Sequence, residues 1–323
     1  MSAKLTVAIV GGTGLLGHHI SNVFLKEFNH TFGEVRVLAR DPSSAKAQDL
    51  ANAGAVLYKF DEANVHKALD EAFAGVDVIV DTLSTGFIPE EISNATVEAG
   101  ARSPAKVYIL SEWGLEHEKL DVEGVKLAFW IAKQKLAARA RELLRGKKII
   151  RVYTSAFLEL LFRPGSGPNQ YFLCADWWKV PSDVYEFTGS SSQRVTFTSM
   201  DDIGRSAARL ALLAVDPATA SQVPDELRIA GTTASVEEIR DIVVRHTGKQ
   251  GTIKCNDLAE ARRQTVAGAG ADMALYVRVA AGEGWMDYSK ENANELINPG
   301  QSLWKWKTVD DELKEMASLN LIQ

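Results

Sequence analysis

Directly after the apolar run Leu5–Val10 the chain reads Gly11-Gly12-Thr13-Gly14-Leu15-Leu16-Gly17, and a segment of helical period carrying Ile20, Val23 and Phe24 begins at once. A strand that turns on glycines into a helix is a narrow constraint. The helix opens with amides that have no acceptor and with a positive dipole end, and a diphosphate can reach them only where no Cβ stands in the way. Gly11 suits the tight turn, Gly14 the open approach and Gly17 the close packing of helix on strand. The bland alternative is a glycine-rich turn with no ligand. The context favours a dinucleotide held by Gly11, Thr13, Gly14, Leu15, Leu16 and Gly17.

That context is an alternation over the first 155 residues of short β-branched runs with longer stretches of period 3.6. Strands are expected at Leu5–Val10, Glu34–Ala39, Ala55–Phe60, Val76–Asp81, Lys106–Leu110 and Lys148–Tyr153, and helices over 14–28, 43–53, 63–74, 88–101 and 124–145. The fold class is therefore α/β, a doubly wound parallel sheet of Rossmann type. Beyond residue 155 the rhythm fails. Arg163-Pro164-Gly165-Ser166-Gly167-Pro168 is a loop, and aromatic residues gather from Tyr171 to Trp178, the start of a smaller, interleaved C-terminal α/β substrate lobe. Val195–Ser199 and Leu227–Ala230 read as strands around a helix at Asp201–Val215, so 1–155 is expected to form the dinucleotide domain with 195–231 returning to its sheet. Residues 156–194 and 232–323 would form the lobe. Ser235 and Glu238 make a capping box for a helix that Gly248 ends.

In the 323 residues, 36 Lys and Arg against 42 Asp and Glu give a net charge of −6, without the basic excess that nucleic-acid binding uses. Cys174 and Cys255 are too few for a disulfide framework or a zinc site, and the six histidines show no metal spacing. Leu5–Val10 is too short for a signal-peptide core, and no later run spans a membrane. The expectation is a cytoplasmic protein with no metal, no nucleic-acid partner and no membrane partner.

The second strand ends Val37-Leu38-Ala39-Arg40-Asp41, at the point that faces the adenosine ribose in such folds. A guanidinium there pairs bidentately with a 2′-phosphate, so Arg40, with Lys46 in support, points to NADP(H) rather than NAD. The alternative leaves Arg40 in water and gives the ribose to Asp41. Asp61 could meet the adenine or cap the following helix. Thr82, Leu83 and Ser84, after the fourth strand, and Ser111, after the fifth, lie at strand carboxyl ends where ligands bind, although each also suits ordinary turn chemistry. None of the seven tyrosines has a lysine four residues on, and no G-x-S-x-G elbow occurs. By position alone Lys133 is one of several charges on an amphipathic helix with Lys135, Arg139 and Arg141.

The Gly-Gly-Thr-Gly-x-x-Gly loop, Arg40, Ser111-Glu112-Trp113-Gly114 and Lys133 together resemble the isoflavone reductase-like and NmrA-like group of atypical short-chain dehydrogenases. The resemblance covers most of the chain. Asp201-Asp202-Ile203-Gly204 and the tail from Asn298-Pro299-Gly300 to Trp306-Lys307 are similar to NmrA-like proteins in particular. It implies a catalytic lysine about five helical turns after a Ser-Glu-Phe-Gly motif, serving as general acid or base, and Lys133 falls at that spacing. The chain departs from the reductases in Trp113 for Phe, in lacking a proline before Ser111, and in reading Ile149-Ile150-Arg151-Val152-Tyr153-Thr154 where they have Ile-Pro-Tyr-Thr. The implied activity is an NADPH-dependent hydride transfer to a small hydrophobic, aromatic or enone-type substrate, with Phe87, Trp113, Phe157, Trp177 and Trp178 lining its pocket. The alternative is a sensor that binds NADP without turnover and changes its affinity for a protein partner. A homodimer is compatible with either. Trp304-Lys305-Trp306-Lys307 reads as an edge strand with its lysines in water.

Overall fold

A computed structural model describes residues 4–162 and 183–319, in two compact units. The first comprises Met1–Trp113, Ala128–Val152 and Ile203–Leu227, and the second Gly114–Leu127, Tyr153–Asp202 and Arg228–Gln323.

In the first unit, strands β1 (Leu5–Val10), β2 (Phe32–Ala39), β3 (Val56–Lys59), β4 (Val78–Asp81), β5 (Val107–Gly114) and β6 (Lys148–Tyr153) alternate with helices α1 (Leu15–Lys26), α2 (Ala45–Asn52), α3 (Val65–Phe73), α4 (Glu90–Arg102) and α5 (Ala128–Leu143). Val7 to Val10 and Val78 to Val80 are wholly buried, as strands covered on both faces should be. β1 pairs in parallel with β2 and β4, β2 with β3, and β4 with β5, with Val10 opposite both Leu38 and Asp81. One core joins β4 and β5 to α3, α4 and α5 through Leu69, Phe73, Ile92, Tyr108, Leu136 and Ala140. Burying such side chains contributes about 1.5–3 kcal/mol each, the main favourable term in this layer. Helix α5 starts at Ala128, not 124, because Glu123 and Gly124 both take left-handed φ (50° and 80°) in a turn between Val122 and Val125.

A seventh strand, β10 (Glu226–Arg228), extends the sheet beside β6, giving the order β10-β6-β5-β4-β1-β2-β3. Helix α6 (Met200–Val215) precedes it, and Gly204 lets it close on α1, since a Cβ there would stand 2.9 Å from Val23 Cγ2.

The expected return of Val195–Ser199 to the main sheet does not occur. In the second unit β9 (Arg194–Thr198) pairs antiparallel with β11 (Thr232–Ser235) and parallel with β7 (Ala156–Phe157). The chain leaving β6 supplies the partner at once, and the Thr198 hydroxyl donates to the Thr154 carbonyl at 2.9 Å. A separate parallel pair joins β8 (Val184–Thr188) to β12 (Thr252–Asn256). Helices α7 (Val236–Thr247), α8 (Leu258–Ala267), α9 (Met273–Gly282), α10 (Asn294–Ile297) and α11 (Val309–Ser318) complete the unit. The Ser235–Glu238 capping box opens α7, and Gly248, at φ 69°, closes it.

Residues 304–307 form no strand. Buried Asn298 pins the turn by donating to Trp304 O and accepting from Leu303 N–H, and Trp304 packs on Trp306 with ring centroids 5.3 Å apart. The Lys307 ammonium, expected in water, sits between Glu312 and Glu315 at 2.6 and 2.5 Å. The Asp202 carboxylate accepts the Lys307 backbone N–H at 2.8 Å, so the two distant family-like motifs meet in one structural contact. Among the described residues no helix is long and apolar enough to cross a membrane.

Candidate functional site

Strand register brings the candidates to one edge of the main sheet. With Val10 opposite Leu38 and Asp81, the segments beginning at Gly11, Arg40 and Thr82 all leave from the carboxyl ends of adjacent strands.

Gly11 takes φ 72°, and its carbonyl accepts the Gly14 N–H at 2.8 Å, closing the turn. Gly14 is the extended N-cap of α1 and supplies no side-chain cap, so the amides of the first turn, at Leu15, Leu16 and Gly17, keep no intrahelical acceptor. A Cβ on Gly14 would meet nothing within 4 Å except Gly11 O, at 3.0 Å. One on Gly17 would fall 2.2 Å from that oxygen and 2.7 Å from Thr82 Oγ1. Gly12, to which the sequence reading gave no task, is equally constrained: its Cβ would sit 2.8 Å from both Ser21 Oγ and Val37 Cγ1. The loop is therefore packed against the sheet through Gly12 and Gly17, while Gly14 leaves its outer side open, which is the shape a diphosphate requires.

Arg40 is exposed and makes no hydrogen bond or ion pair with the described residues. Asp41 is committed instead, accepting the Ser43 amide at 2.9 Å and its hydroxyl at 2.6 Å, bonds that hold its carboxyl below the usual range. Lys46, exposed on α2, lies near enough to α1 to add to burial in pushing the His18 imidazole down. Asp61 caps the turn before α3 by accepting from the Ala63 amide and the Asn64 side chain.

The β4 edge is tightly wired. Thr82 donates its hydroxyl to Val10 O at 2.6 Å, and Ser111 donates to Leu83 O at 2.6 Å, so both hydroxyls tie neighbouring strands together and keep only acceptor capacity. Ser84 is exposed. Asp81 is fully buried: its carboxylate accepts from the Leu83 amide at 2.9 Å and the Tyr108 hydroxyl at 3.3 Å, and burial pushes its pKa up to about 6. Burial, helped by Asp81, drives the Tyr108 phenol well above its ordinary value. Trp113 adopts φ 40°, rare for a bulky residue, and donates its indole N–H to Asp81 O at 2.7 Å.

Lys133 is not one more solvated cation of α5. Its side chain is 15 % exposed, against 43 % for Arg139 and 54 % for Arg141. Nζ donates to Ser111 O at 2.9 Å and Glu112 O at 2.5 Å, with Glu112 Oε2 3.9 Å away. Burial pushes this amine below the ordinary lysine range, Glu112 and Asp81 pull it back up, and Arg151 pushes it down. One turn earlier, the Phe129 ring packs at a tilt against Trp130 and Phe87, with centroids 5.0 and 5.2 Å away, and Phe87 is 54 % exposed. Gly86, at φ 89°, allows that contact, because a Cβ there would lie 2.6 Å from Phe129 Cα.

The first unit thus gathers the glycine loop, Arg40, Thr82, Leu83, Ser84, Ser111, Lys133, Phe87 and Trp113. Phe157 belongs to the second unit, and Trp177 and Trp178 lie outside the described residues. Sequence reading missed Asp81 and the buried pair Glu112–Arg151. The signals were present: a carboxylate ends the apolar run Val78-Ile79-Val80, and an arginine interrupts Ile149-Ile150-Arg151-Val152. Among the described residues no cluster of three His, Cys, Asp or Glu could hold a metal.

The model of the NmrA-like family matches residues 3–283. A phenylcoumaran benzylic ether reductase of Pyrus communis is 26% identical over 259 residues, 77% of each chain. The crystal structure of isoflavone reductase superposes with a TM-score of 0.72 at 19% identity, covering 97% of this chain and 100% of that one. A leucoanthocyanidin reductase–NADPH complex from Vitis vinifera superposes at 0.70 and 15% identity, covering 97% and 99%. With the family model spanning most of its length, and with the doubly wound sheet and glycine loop in place, this chain belongs to the NmrA-like family.

Proposed function

We propose that the chain is an NADPH-dependent reductase that delivers a hydride to a small hydrophobic substrate of aromatic or enone type, with Lys133 as its proton donor. The observation that carries this reading is the seat of Lys133: a nearly buried amine on the carbonyls of Ser111 and Glu112, at the same sheet edge as the glycine loop. We read the protein as an NADP-dependent oxidoreductase, a reading further supported by a relative named as a phenylcoumaran benzylic ether reductase.

The residues fit that cofactor. The amides opening α1 and the open side of Gly14 would take the diphosphate, and Arg40 with Lys46 would take the 2′-phosphate. NADPH supplies a hydride when bound. The two carbonyls fix two of the three directions around Nζ whether the nitrogen is ammonium or amine, so the third direction alone gains or loses a proton. A proton leaving there meets the anion formed on the substrate, and burial, by weakening the ammonium, makes that transfer easier. Phe87 offers an exposed ring for a planar apolar group.

The second reading, a sensor that binds NADP without turnover, draws on the same contacts, since a lysine tying α5 to β5 needs no chemistry. Lys133→Ala separates the two. Turnover in a screen of aromatic ethers and enones should disappear while NADPH affinity stays within about tenfold. Turnover undiminished in the variant removes this lysine from the reaction.

A further inference from the structure

Lys133 stands at one end of a chain of charges that leaves α5 and comes back to it. Glu112 Oε2 is 3.9 Å from Lys133 Nζ, and Glu112 Oε1 accepts from Arg151 Nε at 2.9 Å. Arg151 NH1 reaches Glu226 Oε1 on β10 at 2.7 Å, and Arg141, eight residues after Lys133, holds the same oxygen at 2.6 Å. The signs alternate along the five groups, and the middle of the chain is dry: the Glu112 and Arg151 side chains are 1 % and 2 % exposed. A buried ion pair is costly to build and is often no more stable than an apolar substitute, so stability alone is a weak account of this one.

Geometry suggests what it does. The carbonyls of Ser111 and Glu112 accept from either form and favour the ammonium, whose hydrogen bonds are charge-assisted, but each carries only a dipole. A carboxylate at 3.9 Å adds a full negative charge to that preference, and an arginine that fixes one oxygen of that carboxylate decides where the other points. We propose that Glu112 and Arg151 are positioning residues for Lys133, Glu112 holding it as ammonium and Arg151 holding Glu112 and limiting that effect. The inference rests on the proton-donor reading of Lys133 only for its catalytic consequence.

Among the described residues, Asp81 on β4 also favours the ammonium, and Tyr108 on β5 is engaged with Asp81. The two positioning residues therefore act with opposite sign: loss of the Glu112 charge makes Lys133 a weaker base, and loss of the Arg151 charge makes it a stronger one.

The test reads the lysine itself. Trace acetylation of the full chain with acetic anhydride across a pH series, followed by peptide mass spectrometry, gives the inflection of Lys133 without substrate or cofactor. Glu112→Gln should lower that inflection by about one pH unit or more, and Arg151→Lys, which keeps the charge, should leave it within about 0.3 unit. Should Glu112→Gln fail to fold, the doubly neutral E112Q/R151Q leaves neither charge of the pair unmatched, and it should give a downward shift smaller than that of a lone carboxylate loss. An inflection that stays in place in a folded variant lacking the Glu112 charge overturns the proposal. The pH profile of kcat should move with the labelling inflection. If labelling moves and kcat does not, the proton-donor role of Lys133 fails while the positioning stands.

Discussion

Gly14→Ala isolates the open side of the glycine loop from its packed side. Gly14 lies at φ −67° and ψ −179°, extended backbone that alanine adopts without strain, and the added Cβ would touch only Gly11 O, at 3.0 Å. Folding should therefore change by about 1 kcal/mol or less, because only Gly11 O has to give, by a few tenths of an ångström. Binding should not be spared. A methyl group on the approach side holds a diphosphate away from the α1 amides and weakens one or two charge-assisted hydrogen bonds, each worth about 1.5–3 kcal/mol. A loss of about 1.5–3 kcal/mol corresponds to roughly 10- to 150-fold in Kd. Gly17→Ala is the contrasting case: at 2.2 Å from Gly11 O the Cβ must displace backbone, and overpacking of this kind costs about 1–3 kcal/mol of stability before any ligand is added. Fluorescence titration with NADPH and urea unfolding of both variants give the comparison. A Gly14→Ala protein that folds normally and binds NADPH within about threefold of the parent would falsify the placement of the diphosphate on this loop.

Arg40→Ala should weaken NADPH by tenfold or more, about 1.4 kcal/mol, and leave NADH nearly unchanged, because only the former carries the 2′-phosphate; equal losses in calorimetry argue against the assignment. Asp81 gives a pH signature. Its folded pKa of about 6 lies above the unfolded value of about 3.9, so its ionisation costs stability as pH rises through that window and costs nothing below it. The parent should thus lose about 3 kcal/mol relative to Asp81→Asn between about pH 4 and 6, and parallel urea midpoints across that range would show that burial does not govern this carboxyl. Asp202→Ala removes the acceptor of the Lys307 amide and should cost about 1–3 kcal/mol, with proteolysis of the 299–307 segment rising before global unfolding; protection equal to that of the parent contradicts a tether there.

Periodicity and glycine placement made the sheet legible because they are local. The β1 strand and the β6 strand were predicted to the residue, and Ser235 and Gly248 bound α7 as their chemistry requires. Errors arose where a partner far along the chain decided the outcome. β9 looks like any short strand, but β7 and β11 capture it, and nothing near Val195 announces either. Lys307 appeared solvated because Glu312 and Glu315 reach it only after the chain turns at Thr308. At the candidate site the same division holds. The roles proposed for the loop and Arg40 come from spacing, and that proposed for Lys133 from resemblance, while the contact of Arg151 with Glu112, thirty-nine residues earlier, becomes visible only in three dimensions.

Lys133 rests on main-chain oxygens, and every residue possesses one. Sequence drift at positions 111 and 112 can therefore replace both side chains and leave both acceptors of Lys133 in place, provided β5 keeps its path into Trp113 and the buried Arg151 changes together with Glu112. A homologue that has lost the serine and the glutamate would still cradle its lysine in the same place and would differ in how readily that lysine parts with a proton, which makes acidity, rather than architecture, the property most open to evolutionary adjustment.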